Sequence, residues 1–226
     1  MWREVFPAAD AEVEGSWSWL ARQTGLTGVL DFDFGKIDHF LVGTFVERWQ
    51  PETNNFHFPF GEITITLHDV ALIIGLPIEG DEVVDTEYSL DHGAEFFEHM
   101  FWNDPEYELA TQSVWARNYK KKGEIHAKGF REHLLYLIEA GVLNEEVAMG
   151  FLFHVLSLSL FMNRTTHSIW TRFLPLFDGV DRVRGMAWGT GVLAYMYRAL
   201  GEATRSGVKG IGGCCYLLQV NMKNFR

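Results

Sequence analysis

The chain has 226 residues, of which 47% are hydrophobic and 15% aromatic. This length and composition are typical of a folded globule with a sizeable core, and they exclude an intrinsically disordered chain. The formal net charge of −11 argues, taken alone, against a nucleic-acid partner.

The charge is unevenly distributed along the chain. Residues 1–113 contain 4 basic and 22 acidic residues (net −18), whereas residues 114–226 contain 15 basic and 8 acidic residues (net +7). Such a division fits a basic face on an acidic body, and it fits equally well two halves that attract each other or an acidic half that keeps the domain soluble. The residues alone leave these interpretations open.

Two helices are predicted before residue 50. Residues 16–23 form a short helix that Gly25 ends, and residues 36–49 form an amphipathic helix. The apolar side chains of the second helix recur at the 3.6-residue period and are predicted to share one face: Ile37, Phe40, Leu41, Phe45 and Trp49.

The stretch 45–80 carries the densest set of local signals. Two β-prone runs, 56–58 and 62–65, flank a turn and predict a small hairpin. Thr66 is predicted to cap the next helix, with Asp69 completing a capping box. Gly75 supplies a left-handed stop, and Pro77 prevents continuation.

The second half predicts a bundle of helices. Residues 87–111 are acidic and read as a solvated helix rather than as a metal site. Helices are then predicted up to Ala140 and over residues 144–162, 167–177, 187–203 and 209–225. The 144–162 and 187–203 segments are apolar on nearly all faces and are predicted to be buried. A stripe of small residues in 187–203 is predicted to pack against the glycines of 209–225.

Three segments of the chain carry recognisable motifs. The first is ERW-PET-N-FH-P-GE-T-TL-DVA---GLPI-G within residues 45–80, the second is WGTGVLAYMYR at 188–198, and the third is I-GC--LLQ at 211–219. Together they resemble the signature of the plant mobile domain family. The matches occur in the family's order and lie far apart. The resemblance therefore covers nearly the whole chain, and we predict a single domain over 1–226 that is mainly α, a compact multi-helix fold with one or two small β-hairpins.

Sequence features favour neither an enzyme nor a membrane protein. Gly189, Gly191 and Ala194 satisfy a dinucleotide-binding spacing, but no strand precedes them. The family has been labelled aminotransferase-like, yet no Schiff-base lysine or phosphate-binding loop can be assigned. The acidic start lacks a signal-peptide pattern, and the longest apolar run, 149–162, is shorter than the ~20 residues of a membrane span. The adjacent Cys214 and Cys215 read as small core residues. We therefore predict no catalysis, cofactor, metal, small-molecule substrate or membrane partner.

The resemblance implies a nuclear protein of the maintenance-of-meristems or transposon-derived type. Such proteins are tied to transcriptional regulation and transposon silencing, and are expected to act with a phosphatase-7-like protein or another plant mobile domain protein. Our first hypothesis is a domain that recognises double-stranded DNA in a sequence-specific manner. The alternative is a protein-interaction module that docks the phosphatase-7-like partner without touching DNA.

The candidate DNA contacts all lie in the basic half. Lysines are expected to meet phosphates, and arginines are the better readers of guanine edges. Trp115, Tyr119 or Trp170 would pack against sugars. Arg164, Arg182 and Arg184 are predicted to lie in loops. The candidates are Arg117, Lys120, Lys121, Lys122, Lys128, Arg131, Arg164, Arg172, Arg182 and Arg184.

Overall fold

The computed structural model of the chain describes residues 17–32, 35–83, 123–141, 145–163, 167–205 and 210–223. The prediction of a mainly α fold with small β elements is confirmed within these ranges. The acidic half contains α1 (Trp17–Gln23), α2 (Thr27–Asp31), α3 (His39–Val46), β1 (Trp49–Gln50), β2 (Asn55–Phe58), β3 (Gly61–Ile63) and α4 (Leu67–Ile74). The basic half contains β4 (Glu124–His126), α5 (Ala127–Glu139), α6 (Glu145–Ser159), β5 (Ser168–Trp170), a 3₁₀ helix (Thr171–Phe177), α7 (Val180–Gly185), α8 (Trp188–Ala203) and α9 (Cys215–Lys223).

Helix α6 forms the centre of the core, as its apolar pattern predicts. Nearly all its side chains are buried, and it packs against α1, α5, the 3₁₀ helix and β5. A chain of aromatic rings leads away from it, with Phe153 against Phe177 at 5.5 Å and Phe177 against Trp188 at 5.2 Å between centroids. Buried aromatic pairs add to the stability that their area alone provides. The predicted burial of α8 is also confirmed on most of its faces.

The predicted hairpin and the helix after it are confirmed. Strands β2 and β3 pair antiparallel, and β1 adds a third strand. The Thr66 hydroxyl accepts from the Asp69 N–H at 3.3 Å, and the Asp69 carboxylate accepts from the Thr66 N–H at 2.7 Å. Gly75 ends α4 with φ +72° and ψ +31°, the left-handed conformation that glycine adopts without strain.

The predicted helix over 36–49 is shorter in the structure. Helix α3 begins after Asp38, whose carboxylate accepts from the Leu41 N–H at 3.0 Å, and it ends at Val46 so that Trp49 can start β1. Phe40 was wrongly assigned to the buried face, because its side chain is 86% exposed.

The predicted packing of the small residues of α8 was mostly wrong. A Cβ on Gly189 would lie 3.1 Å from the Pro77 carbonyl oxygen, and one on Gly191 would lie 2.5 Å from the Val83 Cβ. The absence of side chains at these two glycines therefore allows the segment that follows α4 to pack closely against α8, and this segment takes the place that was predicted for α9. Of Gly210, Gly212 and Gly213, which precede α9, only Gly213 lies close to α8. It lies in a turn with φ +82° and not in a helix, because α9 begins at Cys215.

The acidic and basic halves meet through backbone hydrogen bonds. Asp81 donates its N–H to the Gly185 oxygen at 2.8 Å and accepts from the Ala187 N–H at 2.8 Å, forming a short parallel bridge. The buried apolar side chains of both halves belong to one contiguous cluster.

Candidate nucleic-acid interface

The two-stranded sheet β4–β5 organises the candidate site. Residues 42 or more positions apart are paired in it: Glu124 with Trp170, Ile125 with Ile169, and His126 with Ser168. Ile125 and Ile169 point into the core and are at most 1% exposed, so their neighbours in each strand are directed outward. The sheet replaces the helix that was predicted to begin at residue 167, and the helix that follows it is 3₁₀ and contains Pro175.

Glu124 fixes the position of Trp170. Its carboxylate accepts from the Trp170 indole N–H at 3.1 Å and from the Ser168 hydroxyl at 3.1 Å. Asn163 donates from its side-chain amide to the Ser168 carbonyl at 2.9 Å. We call the group Glu124, Asn163, Ser168, Trp170 and Arg172 the Trp170 corner.

Arg172 lies over the Trp170 ring of this corner, with its Nε and Nη2 atoms buried. Its guanidinium carbon is 3.5 Å from the centre of the Trp170 ring and 5.3 Å from that of Phe173. A planar cation on an indole face is a favourable geometry, worth ~0.5–2 kcal/mol depending on desolvation. The stacking fixes the guanidinium plane of a residue that was predicted to contact DNA.

Two further candidates, Lys128 and Arg131, lie on α5, directly after β4. Lys128 is exposed and forms an ion pair with Glu132 at 3.7 Å. Arg131 is half-buried, and its charge contributes to the lowered pKa of His154 on α6. Lys128 is therefore the more accessible of the two for a contact with phosphate.

The predicted loop placement of Arg182 and Arg184 was wrong, because both lie on helix α7. Arg182 donates from Nε to the Pro175 carbonyl at 3.2 Å. Arg184 donates from Nε to the Gln23 carbonyl at 2.7 Å and from Nη1 to the Asp181 carboxylate at 3.3 Å. Both side chains thus join α7 to neighbouring elements, although both residues remain exposed.

The remaining predicted contacts lie outside the described residues. They are Arg117, Lys120, Lys121, Lys122 and Arg164, together with the candidate sugar contacts Trp115 and Tyr119. In the sequence, the lysine run directly precedes Gly123, and Arg164 directly follows Asn163. Asn163 is part of the Trp170 corner. Gly123 adjoins the corner, since its carbonyl accepts from the Thr171 N–H at 2.9 Å and from the Thr171 hydroxyl at 3.1 Å.

A cavity of about 290 Å³ opens beside Trp170, between the small sheet and α8. The residues of its wall that sequence reasoning missed as site residues are Glu124, Asn163, Tyr195, Arg198 and Glu202. Tyr195 and Arg198 lie within the WGTGVLAYMYR motif, which indicated helix α8 but did not indicate that these side chains line a cavity. The sequence does not indicate that Glu124 lies close to α8, because this proximity depends on the pairing of β4 with β5.

Buried titratable groups lie behind the site rather than in it. Burial lowers the pKa of His133 to about 3. Burial likewise lowers the pKa of His154 to about 4, with a hydrogen bond to the Ala127 carbonyl opposing the shift and the Arg131 charge adding to it. Burial raises the pKa of Cys214 to about 12 and that of Cys215 to about 11, so both thiols stay protonated and fit the predicted core role.

The described ranges contain neither a metal-binding cluster nor a membrane-spanning helix. No group of three or more histidine, cysteine or carboxylate side chains there could hold a metal ion, and no helix there is long and apolar enough to cross a membrane. The acidic segment 87–111 lies outside those ranges.

Comparison with known proteins identifies the family. The sequence model of the plant mobile domain matches residues 25–223. The chain therefore belongs to the plant mobile domain family, as its three motifs indicated. No solved structure matches the chain.

The relatives are longer proteins of Arabidopsis thaliana. The chain is 31% identical to Protein MAINTENANCE OF MERISTEMS over 81% of its own length and 36% of that protein. It is 30% identical to Protein MAIN-LIKE 2 over 91% of its length and 30% of that protein. It is also 32% identical to the serine/threonine-protein phosphatase 7 long form homolog, over 87% of its length and 14% of that protein. The chain thus spans about a third or less of these relatives.

Proposed function

We propose that this chain is a DNA-recognition domain that has no catalysis of its own and acts in the nucleus in transcriptional regulation and transposon silencing. Its DNA face would be centred on the Trp170 corner and extend over the basic residues that adjoin it. The partner protein would be a phosphatase-7-like protein or another plant mobile domain protein.

One observation carries the proposal: the Gly123–Thr171 hydrogen bonds join the end of the lysine run to Trp170 and Arg172. Asn163, which directly precedes Arg164 in the sequence, is hydrogen-bonded to Ser168 in the same corner. The two described residues that adjoin these basic positions in the sequence, Gly123 and Asn163, are thus both anchored beside Trp170. We expect the adjoining cations to contact phosphates and sugars there.

Arg172 is the described residue that tests the proposal most sharply. Arg172→Ala should weaken binding to all duplexes, because it removes a charge beside the phosphates. Arg172→Lys keeps the charge but loses the planar stacking on Trp170, and should recover only part of the affinity. The matched control is Arg205→Ala, an exposed arginine outside the proposed face.

Sequence preference is assigned to Arg182 and Arg184. A guanidinium has five N–H donors, and each of these residues commits only one or two to the protein, which leaves donors for a guanine edge. Because both arginines also brace the fold, their role must be measured as a ratio of affinities. Replacing either should lower the preference for a selected duplex over a scrambled one by ~1–3 kcal/mol if it reads a base.

The test begins with a selection from random duplex DNA, followed by anisotropy titration of the recovered sequences. We expect an enriched motif that binds more tightly than its scrambled counterpart. Recovery of no duplex at low salt would overturn the proposal.

A second candidate function is a protein-interaction module, favoured by exposed apolar side chains in the acidic half. Phe40, Phe60 and Leu72 are 86%, 77% and 71% exposed. Apolar side chains of this size at a surface are suited to docking, and one relative carries a phosphatase name on a longer chain. Docking through them would be nearly independent of salt, whereas phosphate binding weakens steeply with salt. Phe40→Ser with Leu72→Ser should abolish such docking and leave DNA binding unchanged.

A further inference from the structure

The cavity beside Trp170 has two aromatic walls. The Trp170 and Tyr195 rings stand 6.5 Å apart between centroids at 76°, so they form a corner rather than a stack. Trp170 lines the cavity, while Arg172, which lies over the indole ring, is not one of the lining residues. Tyr195 is fixed in turn by edge contacts with Phe161 and Phe173.

Both walls already hold cations within the fold. The Arg172 guanidinium lies 3.5 Å from the centre of Trp170, and the Arg198 guanidinium lies 5.5 Å from that of Tyr195. Both distances are within the range in which a ring quadrupole attracts a positive group. An aromatic corner with this property is the usual element of sites for ammonium and guanidinium groups.

The polar lining of the cavity carries an excess of negative charge. Glu124 and Glu202 contribute two carboxylates, and Arg198 contributes one guanidinium, which pairs with Glu202 at 3.7 Å. Glu124 is held by Trp170 Nε1 and Ser168 Oγ, and both of these donors are neutral. The hydrogen bonds orient the Glu124 carboxylate without bringing it a positive charge, and an entering cation would supply one.

We infer that this cavity binds one cationic side chain, an ammonium or guanidinium group, presented by a protein partner. Its volume of about 290 Å³ is just below the ~300–1,000 Å³ found for small-molecule pockets, a size suited to one side chain. The ring corner would enclose the cation, and Glu124 would form the ion pair. The cavity shares Glu124, Asn163 and Trp170 with the Trp170 corner. The cation site does not depend on DNA binding, because it rests on the Glu124 carboxylate and the two rings rather than on the basic residues.

The experiment is a calorimetric titration of the whole chain with short capped peptides that differ at one central residue. Peptides with lysine, trimethyl-lysine or arginine should bind, while the neutral isosteres norleucine and citrulline should bind at least about tenfold more weakly. Butylammonium and methylguanidinium ions are added separately, to distinguish a protein side chain from a free amine. Equal affinity of cationic and neutral peptides, no saturable binding at millimolar concentration, or free ions binding as tightly as the peptides would each overturn the inference.

The matched variant is Glu124→Gln, which removes the charge, keeps one acceptor oxygen for the Trp170 indole N–H, and places an amide N–H beside Ser168 Oγ, a hydroxyl that can also accept. It should weaken binding of the cationic peptides about tenfold and leave the neutral ones unchanged. Glu132→Gln is the control, because that carboxylate is exposed on α5 and pairs with Lys128 outside the cavity. Unchanged binding by Glu124→Gln would contradict the inference.

A second measurement keeps the test valid if Glu124→Gln does not fold. The indole N–H resonance of Trp170, assigned with Trp170→Phe, should shift when a lysine peptide is added to the unaltered protein and stay in place with norleucine. A short single-stranded oligonucleotide serves as the competing ligand. If it shifts this resonance and displaces the peptide, the cavity is a nucleotide site and the inference is wrong.

Discussion

Two regions of the molecule differ in how far apart in the sequence their contacting residues lie. One is the hairpin and helix of residues 45–80, and the other is the Trp170 corner. In the first, Thr66 bonds to Asp69 and Phe56 pairs with Ile63, so the interacting residues are at most a few positions apart. In the second, Glu124 bonds to Trp170 across 46 positions. The local structure of the first region is therefore specified by neighbours in the sequence, while the second region exists only when α5, α6 and β5 are assembled.

The largest expected effect is on the second region and depends on pH. The pKa values of His133 and His154 are lowered to about 3 and about 4 in the folded chain, whereas histidine in an unfolded chain titrates near 6.5. The unfolded state then binds more protons as the pH falls below ~6.5, so the free energy of unfolding decreases. Each histidine should contribute up to ~1.4 kcal/mol per pH unit until its folded pKa is reached.

Urea denaturation at pH 7, 6 and 5 measures this loss of stability. His154→Gln should flatten the pH profile, while His68→Gln, at an exposed position of α4, should leave it unchanged. A stability that is constant between pH 7 and pH 5 would show that the two histidines are not buried behind the corner.

Gly75→Val should destabilise the first region by ~2–3 kcal/mol. The residue has φ +72°, which a β-branched side chain resists, and a Cβ there would lie 3.2 Å from the Gly28 Cα. The control is Gly43→Ala in α3, where a Cβ meets nothing within 4 Å and alanine should raise helix stability by up to ~1 kcal/mol. Thermal melts that rank the two variants in the opposite order would contradict the assigned ends of α4.

Glu124→Ala should destabilise the Trp170 corner by ~1–3 kcal/mol. It leaves the Trp170 indole and the Ser168 hydroxyl without their acceptor, and a half-buried donor without a partner costs more than the bond itself contributes. Chemical denaturation compares the stability of Glu124→Ala, which lacks both the charge and the acceptor oxygens, with that of Glu124→Gln, which lacks the charge but keeps one acceptor oxygen. If both variants unfold at the same urea concentration as the parent, the corner is not held by Glu124.

Thr66→Ala should have the smallest effect, ~1 kcal/mol, through loss of the helix cap. Asp69 would keep its contact to the residue-66 N–H, so part of the capping box survives. The loss is measured as a change in the denaturation midpoint, and an unchanged midpoint would mean that solvent replaces the cap without cost.

The sequence separation of the contacting residues also explains which features could be predicted from the sequence and which could not. The capping box, the left-handed Gly75 and the buried α6 depend on residues within a few turns of each other, and each was predicted. The pairing of β4 with β5 was missed, because the 167–177 run has helical spacing and only Glu124 and Gly123 convert its start into a strand. The cavity beside Trp170 could not be predicted, because it requires that pairing and the position of α8. The glycines of α8 were recognised as packing positions, but tertiary structure alone decides that Pro77 and Val83 fill them.

The central claim is that the basic residues around the Trp170 corner contact DNA phosphates, and the salt dependence of duplex binding tests it most directly. The variant replaces Lys120, Lys121 and Lys122 by alanine, and the control replaces Lys36, Arg48 and Arg205, three exposed cations whose removal changes the net charge equally. We predict that the lysine variant binds all duplexes more weakly and lowers the slope of log K against log salt by ~0.9 per lost phosphate contact, while the control keeps the parent slope. Equal slopes for the parent and the lysine variant, or the same change in both variants, would contradict the account.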